Sequence, residues 1–183
     1  MALISEARSV TVSYYGSGIE THSSDGTFGM FEAAAVGTPY GGGHMYAYQK
    51  SNITPSEITL ENTASDIYGP GGLAESNFEV KFSLPQDTRI TISGYRNWLQ
   101  WVSLASVSLG PIPLGWNAPN LNYDQVLGAG EYTLTSFMRP VETQIQRIEL
   151  HASSVPDGGT SAWMLAIGVL SLVAIRGRTL SQP

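Results

Sequence analysis

Phe78-Glu79-Val80-Lys81-Phe82-Ser83-Leu84, then Pro85-Gln86-Asp87, then Ile90-Thr91-Ile92-Ser93 is the stretch that decides the fold. Apolar residues recur at every second position. That is the period of a strand, whose successive side chains point to opposite faces. Phe78, Val80, Phe82, Ile90 and Ile92 are therefore expected inside, with Glu79 and Lys81 in solvent. Pro85-Gln86-Asp87 is a turn, and the two runs around it read as a β-hairpin.

The same alternation extends in both directions. Val10, Val12 and Tyr14 share a face in residues 9–15. Ile58 and Leu60 alternate with Glu57, Thr59 and Glu61. Residues 101–109 read as another strand, as do 131–137, entered from Gly128-Ala129-Gly130. Residues 147–153 close the series with Ile148, Leu150 and Ala152 inward. Residues 27–36 and 44–49 are strands of less defined phase. The total is about eight or nine strands, with no amphipathic helix among them. The predicted fold is all-β: an antiparallel two-sheet sandwich, jelly-roll-like, over residues 8–153. Loops fall at 37–43, 68–73 and 110–125, and the last carries Trp116 and Tyr123. Binding on a sandwich usually sits on such loops.

Composition agrees. Charged residues are 13% of the 183, against about 25% in an average soluble protein. Apolar residues reach 42% and aromatic ones 10%, enough for a packed core and too many for a disordered chain. The net charge is −6, and residues 1–154 alone carry −7, because Asp157, Arg176 and Arg178 sum to +1. An acidic domain without a basic stripe lacks the footprint of a nucleic-acid binder. The absence of Cys excludes disulfides, thiolate metal sites and Cys nucleophiles.

Little in the domain has the pattern of catalysis. His22, His44 and His151 have no metal-ligand partner at i+2 or i+4. Gly41-Gly42-Gly43 lacks the Lys-Ser/Thr of a phosphate loop, and no Gly-x-Ser-x-Gly elbow occurs. Glu57, Glu61, Glu79 and Glu131 fall on strands, and no pair among them is singled out for acid–base work. Asp25-Gly26 and Asp124 offer loop oxygens for Ca²⁺ without an Asp-x-Asp cluster. Asn52-Ile53-Thr54 matches a glycosylation sequon. The aromatics carry more weight. Tyr95, Trp98 and Trp101 are close in sequence and Trp116 follows, so Trp98, Trp101 and Trp116 are the candidates for stacking on sugar rings. The expectation is a chain with no enzymatic activity and no cofactor or metal.

The C-terminus has a different character. Val155-Pro156-Asp157-Gly158-Gly159 is followed by an uncharged run to Ile175 and then Arg176-Gly177-Arg178. Apolar residues cover every face of a helix over 162–175, which suits lipid better than a surface. The arginines after it predict a cytoplasmic end, with the domain outside. The apolar run is expected to form a helix separate from the sandwich.

This arrangement of motif, apolar helix and basic stop resembles the PEP-CTERM sorting signals read by exosortases, in particular the VPDSG-CTERM class. Val155, Pro156, Asp157 and Gly159 match that pattern, and Gly158 stands in place of its Ser. The resemblance covers residues 155–179 only. It implies an exported envelope or extracellular protein of a Gram-negative bacterium, with an exosortase-type enzyme as partner, the bilayer contacted through 162–175, and a link to extracellular polysaccharide and biofilm.

An exported chain needs a signal peptide. Met1-Ala2-Leu3-Ile4 is too short for its apolar region, whereas Ser5-Glu6-Ala7 has the small residues of a cleavage site. Residues 1–7 therefore read as the remnant of a signal peptide or a disordered start, 8–153 as the ectodomain, and 154–183 as the sorting tail. The leading expectation for function is a non-catalytic structural protein of the cell surface or matrix. The alternative is a carbohydrate-binding module.

Overall fold

The computed structural model describes residues 1–14, 17–38, 44–67, 72–96, 100–114, 120–139 and 143–155. Among them are twelve strands: β1 Ala2–Tyr14, β2 Ser17–Ser23, β3 Gly29–Gly37, β4 His44–Ile53, β5 Glu57–Ile67, β6 Gly72–Leu84, β7 Thr88–Tyr95, β8 Trp101–Ser106, β9 Gly110–Ile112, β10 Asn120–Leu127, β11 Gly130–Met138 and β12 Gln144–Ser154. They form two six-stranded antiparallel sheets, ordered β2-β1-β6-β11-β8-β9 and β10-β7-β12-β5-β4-β3. The expected all-β, two-sheet antiparallel architecture is the one found. The C-terminal residues 156–183, with the expected separate helix, lie outside the described residues.

The deciding stretch is folded as its period dictates, with one correction. Phe78, Val80, Phe82, Leu84, Ile90 and Ile92 are buried, and Lys81 is exposed. β6 and β7, however, are not a hairpin. β6 pairs with β1 and β11, whereas β7 pairs with β10 and β12 in the other sheet. The Pro85-Gln86-Asp87 turn arches from one sheet to the other. Period-two alternation cannot distinguish the two cases, because both give each strand one apolar face.

Three further boundaries differ from expectation. Residues 1–7, expected outside the domain, belong to it: β1 starts at Ala2 and pairs with β6 from Ala2↔Ser83 to Tyr14↔Gly72. A register shift between Leu3 and Ser5 leaves Ile4 as a bulged, exposed residue. The bulge changes phase, so Leu3 and Glu6 both face inward. A cut after Ala7 would take Glu6 and half of β1 out of the domain. Secondly, β8 stops at Ser106, and Val107 and Leu109 are exposed in the turn to β9. Thirdly, the expected loop at 110–125 contains β9 and most of β10. The edge strands β2, β9 and β10 escaped detection because edge strands need no continuous apolar face.

A polar layer divides the core. On one side lies the larger cluster, with Phe78, Phe82, Leu104, Leu134, Ile148 and Leu150 among its members; on the other lie Val10, Val12, Met45, Ala64 and Met138. Between them Gln49, Asn62 and Gln146 stand side by side in register on β4, β5 and β12. Gln49 Nε2 donates to Ser76 Oγ at 2.9 Å across the sandwich, and Ser76 Oγ donates to Asn62 Oδ1 at 3.0 Å. Asn62 Nδ2 and Ser136 Oγ both donate to Gln146 Oε1. These bonds fix the relative position of the sheets, because a sliding sheet would strand each buried amide.

Next to this layer Arg8 crosses the sandwich. Its side chain is 1% exposed and that of Glu6 is 0%. Nε donates to Glu6 Oε2 at 2.7 Å, Nη1 to Gly29 O at 2.8 Å and Nη2 to Thr27 O at 2.6 Å, while the guanidinium lies 5.1 Å from the Phe31 ring centroid. Removing one partner of such a pair leaves a buried charge uncompensated, whereas removing both leaves an apolar filling. The double substitution Glu6→Leu/Arg8→Met is therefore expected to lose less than half the stability that Arg8→Met alone loses, read from urea titrations of both variants.

Candidate functional site

The sequence candidates for metal and acid–base chemistry are scattered by the fold. Glu57 and Glu61 stand on β5, on the outer face of one sheet, and Glu79 and Glu131 on the outer face of the other. Two of them meet ordinary surface partners: Lys81 Nζ is 3.4 Å from Glu79, and His151 Nδ1 is 3.9 Å from Glu57. His22 on β2 shares a 2.9 Å hydrogen bond with Glu20, which also accepts the Val36 amide of the edge strand β3 at 2.9 Å. Those two bonds, with His22 the larger cause, hold the Glu20 carboxyl below its ordinary range. His44 opens β4, on the other sheet.

Asp25 and Asp124 are also apart. Asp25, in the turn between β2 and β3, accepts from the Thr27 hydroxyl and from the Thr27 amide at 3.0 Å, and these bonds lower its pKa. Asp124 lies on β10, at the opposite edge of its sheet from β3, in a bidentate pair with Arg89 at 2.7 and 2.6 Å; that hydrogen bonding lowers its pKa. Among the described residues no three His, Cys, Asp or Glu side chains gather as a metal site.

The aromatic candidates are rearranged. Tyr95 and Trp101, close in sequence, end on different sheets because the chain crosses the sandwich between β7 and β8. Tyr95 is exposed outside one sheet, and Trp101 is 52% exposed outside the other. Tyr123, expected on a loop, is half-buried on β10 and packs against the core. Trp98, Trp116 and Gly41-Gly42-Gly43 lie outside the described residues.

The neighbour that sequence reading missed is Phe137, 36% exposed. It pairs in register with Trp101, and alternation along β11 puts Tyr132, Leu134, Ser136 and Met138 inside and Phe137 outside. Two rings thus stand side by side on neighbouring strands. The signal was available in the phase of residues 131–138, which fixes Phe137 on the face opposite Leu134.

From Phe137 a groove of about 610 Å³ runs over β11, β6 and β1. Thr135, Asn77, Glu79 and Ser9 form its floor, and the Ser24–Asp25–Gly26 turn is its wall. The volume is in the range of small-ligand pockets. Chemically it offers hydroxyls, an amide and a carboxylate beside an aromatic surface.

Of the expected sorting tail, Val155 is half-buried directly after β12, and Pro156, Asp157, Gly158, Gly159, Arg176 and Arg178 lie outside the described residues. Among the described residues no helix is long and apolar enough to cross a membrane. No family model, no curated protein and no solved structure matches this chain.

Proposed function

We propose that this chain is an exported, non-catalytic protein of the cell surface or extracellular matrix, a jelly-roll-like sandwich delivered and held by its C-terminal tail. The observation that carries the reading is the order of blocks at that end: Val155-Pro156-Asp157-Gly158-Gly159, an uncharged apolar run over 162–175, and Arg176-Gly177-Arg178. The apolar run forms a separate helix in the bilayer, since exposing it to water costs about 25 cal/mol per Å² of apolar surface. Arg176 and Arg178 hold its end on the cytoplasmic side. An exosortase-type membrane enzyme is the processing partner, acting near Pro156-Asp157. The tail begins where β12 ends at Ser154, and β12 lies inside its sheet between β7 and β5, so processing there leaves the sandwich whole.

The test is the intact mass of the protein exported from a host that carries its exosortase. Loss of the segment from about Asp157 onward is expected. Full-length protein from that host, still ending at Pro183, overturns the reading. The exposed Trp101 favours a second reading, in which the sandwich binds extracellular polysaccharide.

A further inference from the structure

We propose that the groove beside Trp101 and Phe137 is a binding site for an uncharged polysaccharide, a placement that rests on the second, sugar-binding reading. The site is built by register. Ser23↔Ser9, Ser9↔Asn77, Asn77↔Phe137 and Phe137↔Trp101 are successive cross-strand partners, so these five residues form one transverse row over β2, β1, β6, β11 and β8. At about 4.8 Å per strand the row is roughly 19 Å long. It begins in hydroxyls and an amide and ends in two rings. A parallel row places Glu79 beside Thr135. An extended sugar chain has this same division, with C–H faces that lie on rings and hydroxyls that need donors and acceptors.

Charge selects the ligand class. Glu6 is turned inward to Arg8, so the carboxylates presented to the groove are those of Asp25 and Glu79. Its one lining cation, Arg8, is turned inward to Glu6, Thr27 O and Gly29 O. Lys81, next along β6, is drawn to Glu79. An anionic polymer would meet these carboxylates with Arg8 turned away and Lys81 already held by Glu79, whereas a neutral glycan meets acceptors for its hydroxyls. The rings and floor belong to paired strands, so the platform is rigid before the ligand arrives, which limits the ordering cost of binding.

The test is affinity gel electrophoresis of the full chain in a polyoxyethylene detergent, which carries no sugar headgroup. Dextran, galactomannan and xyloglucan are the neutral probes and alginate is the anionic one. At least one neutral polymer should retard the protein. Trp101→Ala and Phe137→Ala should each raise its apparent Kd tenfold or more with little change in the melting temperature, since both side chains are partly in solvent. Thr135→Arg, which crowds the groove and leaves both rings in the sequence, should do the same and serves if a ring variant fails to fold. No retardation by any of the four polymers overturns the sugar-binding reading and the groove together. Retardation undiminished in all three variants keeps the reading and overturns the groove. Retardation by alginate alone overturns the ligand class.

Discussion

Gly94→Ala is expected to unfold the sandwich or to destabilise it by more than about 4 kcal/mol, the size reserved for backbone strain and severe overpacking. Gly94 is on β7, directly opposite Ile148 of β12. Its φ is +143°, a region that L side chains rarely adopt. An added Cβ would lie 2.0 Å from the Arg147 carbonyl oxygen and 3.1 Å from Ile148 Cα. Both obstacles are backbone of a central strand, and no rotamer change relieves them. The whole of β12 would have to move, and with it Ile148 and Leu150. Thermal unfolding followed by circular dichroism is the measurement. A variant melting within a few degrees of the parent would show that the two strands can separate here without loss.

Phe82→Ala is expected to cost about 3–5 kcal/mol, the usual range for a large ring removed from a core. Phe82 is fully buried. Its ring stacks on that of Tyr132, with centroids 5.8 Å apart, and Tyr132 in turn donates its hydroxyl hydrogen to Gly128 O at 2.9 Å. The cavity would therefore open beside a residue tethered to the β10–β11 turn, which restricts collapse into the space. A urea titration should show a lower midpoint with an unchanged slope. A loss below about 1 kcal/mol would mean that the core repacks freely, and the burial argument would fail with it.

The local sequence was enough for the fold class. The alternation in 78–84 and 90–93 commits those residues to strands with one buried face, since the two-residue period comes from backbone geometry alone. The same logic held for Ile58, Leu60, Ile148 and Leu150, all fully buried. It was also enough to put Phe137 outside, had the phase of β11 been carried to its end.

Only the tertiary structure decided which strands are partners. A turn such as Pro85-Gln86-Asp87 joins two apolar-faced strands equally well within a sheet or across it. The choice lies in long-range hydrogen bonds that local residues do not encode. Burial of polar residues was hidden for the same reason. Gln49, Asn62 and Gln146 carry no local sign of the partners that satisfy them, which come only when their strands are aligned opposite Ser76 and Ser136. Glu6 falls in the stretch 1–7 expected as a signal-peptide remnant. Its burial with Arg8 is hidden locally because a charged pair enters a core only when distant carbonyls, here those of Thr27 and Gly29, are supplied to meet it. The groove beside Trp101 belongs to this second class: its row is drawn from five strands between residues 9 and 137, and strand order alone brings them side by side.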